Sequence, residues 1–342
     1  MVKKILLGIL LLLVIVIGAG GLFLYRSVNA DINEHFAGSC TELELPGSGE
    51  DIQMDHERGF AYLSVLDRMG VAKKETIAPG QILRVDLRAA TPAAENALLS
   101  TPEYLNPHGL SLHIDANGQR YLFMINHPPD RENGEERIEL FTEESAGQYR
   151  HQETFASPLI TRANDLVAVG PRQFYVAQDT GQGGGPTTTD LVYFNGEEFS
   201  VVADDIRSGG GINVSTDGST LYIAETNANA IRVARIEPDG RIATLEHIEL
   251  DSAPDNINVA DDGSLWVGAH SNLAALVMHF IVGSKSPTQI LRVVPGTQPA
   301  DIREIYLNGG TQISAGSGAD SFEDQLLIGS ITDKKILICN MD

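Results

Sequence analysis

Six apolar segments of one design recur along this chain: Phe60-Ala-Tyr-Leu-Ser, Leu122-Phe-Met-Ile-Asn, Phe174-Tyr-Val-Ala-Gln, Leu221-Tyr-Ile-Ala-Glu, Leu265-Trp-Val-Gly-Ala and Leu326-Leu-Ile-Gly-Ser. They begin 44 to 62 residues apart, close to the roughly 40 to 50 residues of a four-stranded propeller blade, with loop insertions in the longer gaps. Four of them follow a turn, at Asn117-Gly118, Gly170-Pro171, Asp217-Gly218 and Asp262-Gly263. Further alternating strands fill the units, among them Gln81-Ile-Leu-Arg-Val-Asp-Leu, Asp190-Leu-Val-Tyr-Phe and Ile231-Arg-Val-Ala-Arg-Ile. Past the N-terminus no sustained helical periodicity stands out. The expected fold class is all-β, a six-bladed β-propeller.

In such a fold the innermost strand of every blade lines a central tunnel, so equivalent positions form a ring. Just ahead of an alternating strand stand Glu50-Asp51, His108-Gly109, Asn164-Asp165, Gly210-Gly211 and Asp255-Asn256. Asp and Asn at strand starts often serve only turn backbone groups. Here, however, four carboxylates and two amides would converge without a thiolate among them, a donor set for a hard cation such as calcium, which takes six to eight oxygens. His108 heads one repeat and His127 ends the following strand, so adjacent strands of one blade can bring the imidazoles together as a base with its relay. The alternative is that each is a structural histidine, the reading given to His35, His56, His113, His151, His247 and His279.

The formal net charge of −22 argues against nucleic-acid and anionic-lipid-headgroup partners, which need clustered Lys and Arg. Residues 5–25 carry no charge and as a helix would span about 31 Å, enough to cross a bilayer core. Lys3 and Lys4 precede that stretch, which orients the body to the non-cytoplasmic side, periplasmic or extracellular. A retained transmembrane anchor at 1–26, a linker at 27–39 and one propeller domain at 40–342 are therefore expected. A cleaved signal peptide ending near Val28-Asn29-Ala30 is the alternative. The two cysteines, Cys40 and Cys339, flank the body; export permits a disulfide between them, and two unrelated buried thiols are the other reading. There is no Gly-x-Ser-x-Gly elbow, Walker glycine-lysine motif or zinc spacing, and the glycine-rich stretch from Gly181 lacks a following helix start.

At these residues the chain resembles the paraoxonase family, calcium-dependent arylesterases and lactonases with a six-bladed propeller. The likeness runs from about Cys40 to Cys339. It rests on Gly49-Glu50-Asp51, Asn106-Pro107-His108-Gly109, Asn126-His127-Pro128, Asn164-Asp165 through Gly170-Pro171, Gly211-Ile212-Asn213, Asp217-Gly218 with Tyr222 to Glu225, Asp255-Asn256-Ile257, and Leu265-Trp266 with Gly268 and His270. The resemblance implies two calcium ions per chain. Glu50, Asn164, Asp255 and Asn256 correspond to ligands of a catalytic ion; Asp51, Asp165 and the Leu110 carbonyl correspond to those of a structural one. It further implies a catalytic pair His108 and His127, pocket residues Asp179, His270 and Asn213, a closing Cys40–Cys339 disulfide, and a small lactone or ester as substrate. Oligomeric state is left open. Two departures stand out: Gly210 replaces an asparagine ligand of the family, and the segment from Gly181 to Asp190 is shorter than the family's apolar lid. A gluconolactonase-like sugar-lactone hydrolase and a non-catalytic membrane-tethered scaffold are the competing readings.

Overall fold

A computed structural model describes residues 32–131, 133–181 and 187–341. Six antiparallel sheets follow one another along the chain, and their first strands are Ser48–Asp55, Pro107–Ile114, Ala163–Gly170, Gly209–Val214, Ala253–Val259 and Gly316–Phe322. Each first strand lies beside those of the two neighbouring sheets, closing a ring. This is the expected six-bladed propeller, with the recurring apolar segments as the second strand of each blade. Their buried side chains, such as Leu63, Phe123, Val176, Ile223, Val267 and Ile328, pack between blades, because successive side chains of a strand point to opposite sheet faces. Burial on both faces explains why these segments read as apolar runs.

Ring closure joins the two ends of the described chain. Gly38–Glu44 forms the outer strand of blade six against Lys335–Met341, with Cys40 directly opposite Cys339 and disulfide-bonded to it. His35–Phe36 adds an edge strand to blade five, so ordered strand begins inside the stretch read as linker. The candidate transmembrane segment lies outside the described residues, and among those described no helix is long and apolar enough to cross a membrane.

The structure adds a helix that periodicity did not reveal, Leu273–Val282 in blade five. Local capping explains it: the Asn272 side chain accepts the N–H of Ala275, and Gly283 ends the helix at φ 72°. A shorter helix, Arg68–Ala72, is capped by Asp67 through the N–H of Gly70.

Every first strand is bulged near its start. Regular pairing with the second strand is interrupted between Gly49 and Ile52, Pro107 and Leu110, Ala163 and Asp165, Gly209 and Ile212, Pro254 and Ile257, and Gly316 and Ala319. A bulge frees residues from the ladder and re-aims their side chains. All of the polar pairs singled out above fall in or at the edge of these bulges. Glycine permits the close approach of neighbouring blades there: a Cβ at Gly109 would lie 2.4 Å from Asp165 Oδ1, and one at Gly211 2.5 Å from the Ile257 nitrogen.

Three residues further along, amides stitch the ring. Asn258 Nδ2 donates to the carbonyls of Ile52 and Ala319, Asn213 Nδ2 to that of Ile257, and Gln53 Nε2 to Asn258 Oδ1. Asp320, buried in the sixth blade at this level, accepts the N–H of Ser321. Burial pushes its carboxyl up to about 8, against the backbone N–H bonds from Ser321 and Met54. Its folded value thus lies above its unfolded one, so its stabilising contribution is complete below about pH 4 and is lost as pH rises towards 8. At about 1.4 kcal/mol per pKa unit the loss amounts to a few kcal/mol. Denaturant midpoints at pH 5 and 8.5 should fall more steeply for the native protein than for Asp320→Asn; parallel profiles would remove Asp320 as the cause.

Candidate active site

The bulges converge on one mouth of the tunnel. From blade one comes Glu50, which is 2% exposed. Its Oε1 accepts a hydrogen bond from Asn256 Nδ2 at 2.9 Å, and its backbone carbonyl accepts from Ser317 Oγ at 2.5 Å. Its Oε2 has no hydrogen-bond partner, with His108 Nε2 at 3.5 Å and Arg68 Nη2 at 3.7 Å. Burial alone would raise this carboxyl, but His108, Arg68 and the Asn256 amide outweigh it and hold it at about 2. Asn164 Oδ1 is a second buried oxygen without a partner.

Asp51 and Asp165 are turned differently. Asp51 accepts the N–H of Ile52 at Oδ1 and that of Leu110, from blade two, at Oδ2. Asp165 accepts those of Leu166 and, from blade four, Ile212. Each carboxylate therefore clamps two adjacent blades. Burial pushes both groups well up, reinforced at Asp51 by Asp165 and Glu50, and at Asp165 by Glu50 and Asp255. These mutual effects put Glu50, Asp51, Asp165 and Asp255 in one electrostatic neighbourhood. On its far side Asp255 Oδ2 meets His270 Nε2 at 3.0 Å.

His108 and His127 touch. Nδ1 of His108 lies 2.6 Å from Nε2 of His127, with the rings edge to face. Beyond His127 stands Glu136, whose Oε2 is 2.6 Å from His127 Nδ1. Arg131 Nε donates to the other oxygen of Glu136 at 3.0 Å, and its Nη2 donates to the Ala163 carbonyl. Burial, together with Arg131, His108 and Arg68, drives the His127 imidazole well below the usual histidine range, so it is neutral near pH 7. Asp179 faces the same guanidinium at 3.7 Å and pairs with Arg162 at 2.8 Å.

The sequence-derived residues therefore gather as follows. Glu50, Asn256, His108 and His127 form one continuous set of contacts; Asp255, next to Asn256 in the chain, pairs with His270; Asn164 sits in the neighbouring bulge; Asp179 joins through Arg131. Asn213 belongs to the amide belt further down the tunnel, where it bonds Ile257. At Gly210 a Cβ would lie 2.9 Å from the hydroxyl of Thr226, which places a hydroxyl oxygen beside the position where the family carries an amide. The sequence reading missed Arg68, Arg131, Glu136 and Ser317. Ser317 had a signal, since it heads the sixth repeat; Glu136 and Arg131 lie in an irregular connection with none.

Could this donor set hold calcium? Among the described residues no three His, Cys, Asp or Glu side chains form a metal-binding group. The first ion that the family resemblance implies, however, would take only two carboxylates, Glu50 and Asp255, with the amides of Asn164 and Asn256 completing its shell. Two buried oxygens without donors, on Glu50 and Asn164, fit a hard cation, because an unsatisfied buried acceptor is otherwise costly. Asn256 must present its oxygen in place of the N–H now given to Glu50.

Known proteins agree with this architecture. Residues 45–341 match the model of the Arylesterase family. Serum paraoxonase/arylesterase 2 of Bos taurus is 30% identical over 308 residues, covering 84% of each chain. Among solved structures, a luciferin-regenerating enzyme superposes with a TM-score of 0.56 at 12% identity, over 89% of this chain and 95% of its own. A protein assigned as a gluconolactonase gives 0.54 at 12% identity, over 89% and 92%; at such identity the likeness speaks for the fold alone. The match along nearly the whole propeller and the identity to a serum paraoxonase establish that this chain belongs to the arylesterase family, that of the paraoxonases.

Proposed function

We propose that this protein is a calcium-dependent hydrolase of lactones and aryl esters, working at the tunnel mouth. The observation that carries the reading is the line Glu136–His127–His108 ending beside Glu50, next to acidic and amide oxygens that lack donors. Glu50, Asn164, Asp255 and Asn256 would hold the catalytic ion; Asp51, Asp165 and the Leu110 carbonyl would hold a structural one. When bound, the catalytic ion supplies Lewis-acid polarisation of the substrate carbonyl.

The chain's own groups then do the following. His108 Nδ1 is engaged with His127, so its Nε2 is the nitrogen left to face the mouth and take a proton from the attacking water. Oxygen of that water bonds to the carbonyl carbon, and the imidazolium formed is stabilised by the Glu50 carboxylate 3.5 Å away. The same proton is returned to the departing alkoxide or phenoxide as the ester bond breaks. Water is consumed, and no covalent bond to the protein is needed. Asp255 keeps His270 oriented at the rim.

The reading also has the apolar stretch 5–25 tether the propeller on the non-cytoplasmic side of a membrane, with which a disulfide-bonded body is consistent. A panel of phenyl acetate, aliphatic lactones and sugar lactones, assayed with chelator and after calcium is restored, tests the proposal. Turnover of the first two that falls with chelation and returns with calcium is expected. Preference for sugar lactones would favour a gluconolactonase-like enzyme, and no hydrolysis at all a binding scaffold.

A further inference from the structure

Glu136 ends the line of contacts described above and takes no step in the hydrolysis, yet it is 2% exposed and fully engaged. One oxygen meets His127 Nδ1 at 2.6 Å and the other accepts from Arg131 Nε at 3.0 Å, while Arg131 is itself held by the Ala163 carbonyl. Two neutral imidazoles in contact have only two proton arrangements: both N–H groups on Nδ1, or both on Nε2. A carboxylate only accepts, so His127 must carry its proton on Nδ1 and accept at Nε2. His108 Nδ1, 2.6 Å from that nitrogen, must then be the donor. The outcome is a bare Nε2 on His108, the lone pair that faces Glu50 and the mouth.

We propose that Glu136, oriented by Arg131, is a positioning residue that selects this arrangement and so keeps His108 Nε2 free to accept a proton. The inference deepens the proposed hydrolytic role and rests on it for its consequence, though not for the proton arrangement itself. Arg131 makes the device sensitive to one atom. In Glu136→Gln the guanidinium claims the amide oxygen, the amide NH2 turns to His127, and both imidazole protons move to Nε2. Replacing Arg131 by methionine in that background frees the amide to rotate its oxygen back.

Nitrogen-15 spectra of histidine-labelled protein read the arrangement directly, and the wild-type chain is the first sample. His108 protonated on Nδ1 and bare on Nε2 near neutral pH is expected; the opposite in the wild type overturns the proposal, even if no variant folds. Glu136→Gln should show the exchanged arrangement and a kcat lower by about 10²- to 10⁴-fold, the scale of a mispositioned general base. Its KM and its calcium-induced thermal shift should be kept. Glu136→Gln with Arg131→Met should recover the wild-type spectrum and at least about tenfold of the lost kcat. An unchanged spectrum in the single variant, or no recovery in the double, refutes Glu136 as selector. Exchanged spectra without any esterase activity would instead leave the selector standing and refute the hydrolase reading.

Discussion

His108→Gln is expected to lower kcat for lactones and aryl esters by about 10²- to 10⁴-fold, the usual worth of a positioned general base, while calcium still raises the melting temperature. The two readouts separate because His108 is a neighbour of Glu50, 3.5 Å away, and not one of the oxygens assigned to the ion. Glutamine retains polar groups near the mouth, and its amide nitrogen can donate to His127 Nε2, but it has no lone pair able to take a proton near neutral pH. Equal loss of turnover and of calcium response would instead mark His108 as a structural support of the Glu50 cluster.

Removing the disulfide should produce the largest loss of stability. Cys40 and Cys339 are separated by 299 residues and pair directly across the ladder that completes blade six. Chain-entropy arguments assign closure of so long a loop on the order of 4 to 5 kcal/mol at best. Without the bridge, the N-terminal strand Gly38–Glu44 is held by its ladder to Lys335–Met341 and by packing of half-exposed side chains. A Cys40→Ser and Cys339→Ser double variant should therefore melt roughly 10 °C lower and still turn over substrate at 25 °C once folded. A melting point within a degree or two of the wild type would show that the ladder alone closes the ring.

Much of the architecture was legible because propeller blades are local objects. Apolar runs such as Leu122 to Asn126 or Leu221 to Glu225, and turns such as Asp217-Gly218, depend on residues next to one another. The register of the polar pairs followed from the repeat, since equivalent places in a radial array share one radius and height. The helix Leu273–Val282 escaped notice because it rests on a cap and a terminal glycine, not on a clean apolar period. The sixth bulge was overlooked because Ser317 and Gly318 carry no charge, although Ser317 anchors the Glu50 backbone.

Pattern along the chain was enough to establish a six-bladed β-propeller, the neighbourhood of Glu50, His108, Asn164 and Asp255, and, through the family likeness, the pairing of Cys40 with Cys339. Three-dimensional packing alone set which atoms meet. The bulges that free the polar pairs, the Asp51 and Asp165 clamps between blades, and the Arg131–Glu136–His127 chain arise from contacts between segments with no shared periodicity. Such contacts depend on tenths of an ångström in backbone approach and on which oxygen of a carboxylate is already taken. Neither quantity is written in the spacing of residue types.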